Sequence, residues 1–206
     1  VGNISSTPPS CASICDGTAT IGLSGGVGPF TITWAPDPGT GQGTPHVTGL
    51  CPGPYDIAVH DLGGCDADFN VLITAPQPIA VTAMVADISC AGQCDGTIAL
   101  NAQGGTGAFT YVWTPIPTTG QGTPTASSLC PGTYSVTVAD VHGCDTTLTF
   151  TLTDPDPLNI VGMATPSHCS LCDGTATLTA TGGSGAINVT WTNAAGDPVG
   201  TGMTLT

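Results

Sequence analysis

The sequence lacks lysine, arginine and glutamate, and all 14 of its acidic residues are aspartates. These missing residues are good helix formers, and 30 glycines and 18 prolines are present, so long helices are not expected. A chain without basic side chains cannot neutralise phosphates by ion pairing. Nucleic acids and anionic membrane surfaces are therefore excluded as electrostatic partners. Trypsin-like proteases also find no cleavage site, which favours survival outside a cell.

Long apolar runs are also absent. No stretch approaches the roughly 20 residues that cross a bilayer, so we expect no direct membrane insertion. The segment that opens at Val1 has no basic region followed by an apolar one. We expect any export signal or membrane anchor to lie outside this sequence.

What is present is a repeat with a period of 79 residues. Cys11, Cys15, Cys51, Cys65 and Trp34 recur as Cys90, Cys94, Cys130, Cys144 and Trp113. A third copy begins with Cys169, Cys172 and Trp191. The predicted domains are 1–79, 80–158 and an incomplete 159–206. We expect the last to be completed by chain beyond Thr206 or by strands of another molecule.

Apolar residues alternate with a period of two inside each repeat, which predicts β-strands. The inward positions of the first repeat are Ala19, Ile21, Leu23, Phe30, Ile32, Trp34, Tyr55, Ile57, Val59, Phe69, Val71 and Ile73. Those of the second are Ile98, Leu100, Ala102, Phe109, Tyr111, Trp113, Tyr134, Val136, Val138, Leu148, Phe150 and Leu152. Turn residues separate these runs. The pattern predicts tandem immunoglobulin-like β-sandwich repeats of about six or seven strands each.

The ten cysteines predict a disulfide framework, because they stand at regular spacings beside Gly-rich and Thr-rich segments. Residues 169–172 have a zinc-like C-x-x-C spacing. The other repeats carry C-x-x-x-C instead, and their fourth cysteine is distant. Disulfides are therefore favoured over a metal centre.

The strand arrangement restricts the pairing. The first three cysteines of a repeat fall at one end of the sandwich, and the fourth lies about 30 Å away across a strand. Bonded cysteines have Cα atoms within about 7 Å, so the fourth needs a partner in a neighbouring repeat. The predicted pairs are Cys51 with Cys11 or Cys15, Cys130 with Cys90 or Cys94, and Cys144 with the remaining one of Cys11 and Cys15.

The pairing scheme leaves alternatives open. A rival arrangement closes a local ring between Cys11 and Cys15 and leaves Cys51 for Cys144. Cys65, Cys169 and Cys172 are expected to bond adjacent repeats.

Several short motifs recur in the same order. They are C-D-G-T at 15–18, 94–97 and 172–175, a following Gly-Gly pair, Phe-x-x-x-Trp, L-C-P-G-x-Y and D-x-x-G-C-D. Together they resemble the SprB repeat of very large cell-surface adhesins in Bacteroidota, which serve gliding and attachment and leave the cell by type 9 secretion. The resemblance implies a stalk or filament segment used in gliding motility, attachment or prey capture. It also makes Thr146, which follows Asp145, a candidate O-glycosylation site beside the simpler interpretation as a strand start.

Residues for catalysis are not evident. His46, His60, His142 and His168 stand opposite Thr125, Ala139, Gly63 and Ser89 of neighbouring repeats, so no histidine recurs. We expect the chain not to be an enzyme.

Recurring aspartates are candidate calcium ligands, because carboxylates suit this hard cation. They are Asp16, Asp61, Asp66, Asp95, Asp140 and Asp145. Asp-Gly and Asp-x-x-Gly also form turns, and no repeat gathers a close cluster of aspartates. We therefore favour turn formation and expect no cofactor.

The sequence thus predicts a structural repeat segment of a long extracellular adhesin or filament at the cell surface. Its expected partners are neighbouring repeats of the same chain and, in a bundled filament, identical chains. The alternative is a glycan-binding or calcium-dependent adhesion module. Nearly every aromatic residue falls on the inward register, which leaves few rings to stack on sugars and favours the structural role.

Overall fold

The structure is a computed structural model that describes residues 2–168 and 173–205. The described residues form β-strands and connecting turns and contain no α-helix, which confirms the all-β fold class. Accordingly, these ranges hold no helix of the length and apolarity needed to span a bilayer. Cys169 and Cys172 lie outside the described residues.

Contacts divide the chain into two compact units. The first unit comprises Val1–Thr82, Asn101–Val112 and Thr137–Thr147, and the second comprises Ala83–Leu100, Trp113–Val136 and Leu148–Thr206. Residues of the second sequence repeat belong to both units. The domain boundaries at 79 and 158 therefore remain predictions from the sequence.

The first repeat is a sandwich of two three-stranded antiparallel sheets in the first unit. One sheet has the order β1-β2-β4 and the other β3-β5-β6. Trp34 pairs with Ile57, which in turn pairs with Phe69, so inward residues stand side by side across the second sheet. The strands are β1 (Asn3–Thr7), β2 (Gly17–Gly22), β3 (Thr31–Ala35), β4 (His46–Leu50), β5 (Gly53–His60) and β6 (Asp66–Ile73).

Both sheets contribute side chains to one core. Its buried members are Ala19, Ile21, Ile32, Trp34, Val47, Leu50, Tyr55, Ile57, Val59 and Ile73, and Leu23, Phe30, Phe69 and Val71 pack against them. Every inward position predicted for the first repeat is among these residues. Full burial of an aliphatic side chain such as Ile57 stabilises the fold by about 1.5–3 kcal/mol.

The remaining strands are β7 (Ala80–Ala86), β8 (Gly96–Gln103), β9 (Thr110–Thr114), β10 (Thr125–Leu129), β11 (Gly132–Ala139), β12 (Asp145–Leu152), β13 (Asn159–Thr165), β14 (Thr175–Thr181), β15 (Thr190–Thr192), β16 (Pro198–Thr201) and β17 (Thr204–Leu205). Their sheets have the orders β10-β8-β7, β12-β11-β9, β13-β14-β17 and β15-β16. The second unit buries Ile88, Ile98, Leu100, Trp113, Ala126, Leu129, Tyr134, Val136 and Leu152.

A polar clamp fixes the core tryptophan of the first repeat. The Gln42 side chain accepts a hydrogen bond from the Trp34 amide and donates one to the Trp34 carbonyl, both at 2.8 Å. The indole Nε1 donates to the Thr44 carbonyl at 3.0 Å. Gly41 opens this turn with a φ of 91°, and a Cβ there would lie 2.5 Å from the His46 carbonyl oxygen. The turn therefore requires glycine at this position.

Candidate functional site

The first candidate site is a disulfide that closes each of the first two repeats. Cys15 bonds Cys51, with Cα atoms 4.0 Å apart, and Cys94 bonds Cys130, with Cα atoms 3.9 Å apart. Each bridge joins the loop before a strand of one sheet to the residue that follows the neighbouring strand. Of the alternatives that the sequence leaves open, the structure has the second cysteine bonded to the third.

A tyrosine holds the third cysteine in place. The Tyr55 hydroxyl accepts a hydrogen bond from the Cys51 amide at 3.1 Å, and the Tyr134 hydroxyl donates to the Cys130 carbonyl at 3.1 Å. Both tyrosine rings are buried. The L-C-P-G-x-Y motif therefore links the core of each sandwich directly to its staple.

The loop that carries the first two cysteines is clamped by the aspartate of C-D-G-T. Asp16 accepts bonds from the Ser10 amide at 2.7 Å and from the Ser10 hydroxyl at 2.6 Å. Asp95 accepts the same two bonds from Ser89. Hydrogen bonds from the serine side chain and then from its amide lower the pKa of both aspartates.

The third repeat has the same clamp with a different donor. Asp173 accepts a bond from the His168 amide at 2.7 Å and contacts His168 Nδ1 at 2.8 Å. The amide bond, followed by the side-chain bond, lowers the pKa of Asp173. His168 thus stands where the other repeats have serine and acts as a loop partner of the aspartate.

A second kind of disulfide spans 133 residues within the first unit. Cys11 of the first repeat bonds Cys144 of the second, with an S–S distance of 2.03 Å and Cα atoms 5.6 Å apart. Cys11 is 6% exposed, and the Cys144 sulfur lies 3.2 Å from the Ser10 carbonyl oxygen. The fourth cysteine of one repeat therefore bonds the first cysteine of the preceding repeat, and the structure contains no local Cys11–Cys15 ring.

An aspartate organises the hairpin that carries the fourth cysteine. Asp140 is 5% exposed and accepts bonds from the amides of Thr106 at 2.8 Å, His142 at 2.9 Å and Cys144 at 3.0 Å. Burial of Asp140 opposes its charged form. These three amides outweigh that penalty, so the pKa of Asp140 lies below its usual value.

The equivalent aspartate of the first repeat is Asp61. It accepts bonds from the Cys65 amide at 2.8 Å and the Val27 amide at 3.0 Å, and these bonds lower the pKa of Asp61. The D-x-x-G-C motif is thus a turn whose carboxylate fixes the amide of the fourth cysteine.

Two cysteines of the described ranges are free thiols. They are Cys65, a fourth cysteine, and Cys90, a first cysteine, and both are exposed. The sequence predicts a partner for Cys65 in an adjacent repeat and leaves Cys90 as one of two alternatives for Cys130, which in the structure bonds Cys94.

The other candidate residues lie on exposed strand ends. His60 Nδ1 lies 2.6 Å from Asp66 Oδ1, and both side chains are more than half exposed. The second repeat has Ala139 in place of His60, so this pair does not recur. Asp145 and Thr146 open β12, where Asp145 is exposed. In residues 2–168 and 173–205, no three His, Cys, Asp or Glu side chains group closely enough to hold a metal ion.

One functional residue was missed from the sequence. The glutamine that clamps the tryptophan recurs, because the Trp113 amide donates to Gln121 Oε1 at 3.1 Å as the Trp34 amide does to Gln42. The string Gly-Gln-Gly-Thr-Pro occurs at 41–45 and again at 120–124. This repeated string, whose glutamine stands eight residues after each tryptophan, was the available signal.

Comparison with known proteins gives one family match. The family model of the SprB repeat matches residues 3–39 and 82–118, two segments separated by the 79-residue period. No curated protein matches the chain.

Solved structures give similarities of low identity. One is described as "Structural basis for Dscam isoform specificity", with 14% identity and a TM-score of 0.30. Another is described as "Structure of surface layer protein SbsC, domains 4-9", with 15% identity and a TM-score of 0.29. Each alignment covers 98% of this chain, which spans 64% of the first structure and 38% of the second.

Proposed function

Because this chain carries SprB repeats at residues 3–39 and 82–118, we propose that it is a structural segment of a long extracellular adhesin or filament at the cell surface. The observation that carries the proposal is the Cys11–Cys144 disulfide, which joins one repeat to the next. A binding module that acts alone has no need of such a bond. A segment whose role is to hold other regions at a distance does.

The disulfides also support the location. Two bridges within repeats and one between repeats require an oxidising compartment to form and persist. A surface without lysine or arginine adds resistance to trypsin-like proteases. Both properties suit a protein exposed outside the cell during gliding, attachment or prey capture.

The proposed role is structural and not catalytic. The aspartates with lowered pKa bind backbone amides and serine or histidine side chains of their own and adjacent loops. These carboxylates are therefore engaged in holding loops, and none of them faces a histidine that recurs between repeats. We expect no turnover of model glycosides, esters or peptides.

Immunogold electron microscopy of intact source cells tests the proposal. Antibodies raised against the folded chain should label extended material outside the cell envelope, and Fab fragments should reduce attachment or gliding. Gold confined to the cell interior would contradict an extracellular role. Saturable binding of the chain to one glycan would instead support the alternative of a binding module.

A further inference from the structure

The hairpin that carries Cys65 has the same internal bonding as the hairpin that carries Cys144. Asp61 donates its amide to the Cys65 carbonyl at 3.0 Å, as Asp140 does to the Cys144 carbonyl at 2.9 Å. In each hairpin the aspartate carboxylate also accepts the amide of the fourth cysteine. The first hairpin is therefore already in the conformation that, in the second, holds a disulfide.

The contacts of the Cys144 hairpin show what such a hairpin binds. The hairpin bonds Cys11 through Cys144. The neighbouring loop before β9 contacts the last residues of the preceding repeat. The Gly105 amide donates to the Gln77 carbonyl at 2.9 Å, and a Cβ on Gly105 would lie 3.0 Å from Ile79. The part of the preceding repeat that binds here thus has two components, the loop with its first cysteine and its last three residues.

The second unit contains the same backbone bond. The Gly183 amide donates to the Asp156 carbonyl at 2.8 Å, and Leu158 lies near Gly183 as Ile79 lies near Gly105. The way a repeat receives the end of its predecessor is therefore a property of the repeat. It does not depend on one particular sequence at the junction.

The first repeat has a cavity at the equivalent place. A cavity of about 180 Å³ beside Cys65 is lined by Gly26, Phe30, Asp61 and the apolar side chains of Leu23, Val59 and Phe69. Gly26 is the equivalent of Gly105, and Asp61 is more exposed than Asp140. An apolar residue in the position of Ile79 or Leu158 fits this cavity by size and polarity.

We propose that the Cys65 hairpin and this cavity form a covalent docking site for the end of another repeat of the same type. The partner supplies a first cysteine in the position of Cys11 and an apolar last residue beside Gly26. This inference rests on the proposed role as a repeat segment and adds the identity of a partner to it.

The bond forms by thiol–disulfide exchange with an oxidant such as oxidised glutathione. The Cys65 thiolate attacks the oxidant, forms a mixed disulfide and releases one glutathione thiolate. The partner thiolate then attacks the Cys65 sulfur and releases the second. The two cysteines are oxidised, their two protons pass to the released glutathione thiolates, and one glutathione disulfide is reduced to two thiols.

An extended chain tests the proposal. A second copy of residues 80–158 is placed directly before Val1, so that Leu158 of the copy precedes Val1 as Ile79 precedes Ala80. The copy carries Ala91→Ser, which gives its peptide with Cys90 and Cys94 a mass different from that of the original peptide. After folding in a glutathione buffer, free thiols are alkylated, and the chain is digested with chymotrypsin and an Asp-specific protease for mass spectrometry. We expect Cys65 to lose its alkyl label and to appear in a disulfide with Cys90 of the added copy. In the original chain Cys65 should be labelled.

The controls make a negative result decisive. Cys65→Ser in the extended chain should leave the added Cys90 alkylated, while Cys94–Cys130 of the copy reports that the copy has folded. A second extension, in case the first does not fold, uses residues 1–79 with Cys65→Ser as the added copy, so that the extended chain still contains a single Cys65. Alkylated Cys65 in both extensions, with Cys11–Cys144 formed in the same samples, would overturn the docking site. Immunogold labelling is independent of this outcome, so the two proposals can fail separately.

Discussion

The first and third repeats share their first strands but differ in burial. The β1–β2 pair and the β13–β14 pair are both antiparallel and continuous over five and seven residue pairs. In the first repeat β2 buries every second residue, whereas its counterpart β14 in the third repeat has only half-buried and exposed residues. Strand pairing is therefore determined locally, while burial requires a second sheet to cover the first.

The second sheet is where the two repeats diverge. In the first repeat β3 pairs with β5, which pairs with β6, and these strands place Tyr55, Ile57 and Ile73 in the core. Among the residues of the third repeat that the structure describes, β15 pairs with β16 in a sheet of two strands. Trp34 is 1% exposed, but Trp191 is only half-buried. The tryptophan of the repeated motif is therefore fully buried in the first repeat and only half-buried in the third.

Truncating the two tryptophans should give the largest difference in stability loss between the first and third repeats. Trp34→Ala removes a fully buried ring, so we expect a loss of about 3–5 kcal/mol in unfolding free energy. Trp191→Ala, the matched control, should cost about 1 kcal/mol, as is common for substitutions outside a packed core. Urea unfolding followed by circular dichroism measures both. Equal losses would show that the third repeat has a core as complete as the first.

Removing the first staple should have the next largest effect. The double change Cys15→Ser with Cys51→Ser opens a loop with a sequence separation of 36, which should cost about 3–4 kcal/mol in the chain-entropy account. Fluorine NMR of the fluorotryptophan-labelled chain gives one probe per repeat, at Trp34, Trp113 and Trp191. The Trp34 signal should be lost at lower urea while the Trp191 signal keeps its midpoint. Cys65→Ser, which removes an exposed thiol, is the control and should leave all three midpoints unchanged.

Acid should also distinguish the repeats. The folded pKa values of Asp16, Asp61 and Asp140 are lowered, so their contribution to stability is present above about pH 4, the unfolded value, and is lost as the pH falls through the lower folded value. The first repeat has two such aspartates, Asp16 and Asp61, whereas the third has Asp173. The Trp34 signal should therefore respond more to acid than the Trp191 signal.

Asp140→Asn and a matched control assign this acid response. Asp140→Asn should reduce the fall in unfolding free energy below pH 4, because the Asp140 carboxylate binds three backbone amides. Asp68→Asn should not, because the Asp68 side chain is exposed on β6 and its carboxylate has no hydrogen-bond partner among the described residues. A first repeat that unfolds at the same urea concentration at pH 7 and pH 3 would contradict the assigned role of these carboxylates.

Calcium should have the smallest effect. The candidate ligands Asp16, Asp61, Asp95 and Asp140 use their oxygens for bonds to loop amides and side chains. We expect the thermal midpoint to be the same in millimolar calcium and in excess chelator for both the first and the third repeat. A rise of the Trp34 midpoint with calcium would show that these loops bind a cation.

Much of the sandwich could be predicted because alternation has a period of two wherever a strand is regular. Val47 and Leu50 of β4 were missed, since they are three residues apart and the β2–β4 register shifts between Gly17 and Thr18. Such an irregularity moves side chains between faces, and alternation alone does not reveal it.

The cysteine pairing was only partly predictable. Strand length excluded a partner for Cys144 within its own repeat, and the end-to-end order of the repeats indicated a partner in the preceding one. The choice between Cys11 and Cys15 depends on the conformation of their loop, which the bonds between Ser10 and Asp16 fix. Those bonds are a property of the folded loop, so spacing could not decide the choice.

The Cys11–Cys144 bond also determines how the chain responds to a pulling force. Load applied at the two ends of the chain passes from residue 11 to residue 144 through one sulfur–sulfur link. The intervening 133-residue separation would contribute about 450 Å of contour length if it were unravelled, at roughly 3.4 Å per residue. While this disulfide is intact the enclosed segment cannot be extended by the pulling force, so β3, β5 and β6, which lie between the two cysteines, stay out of the load path.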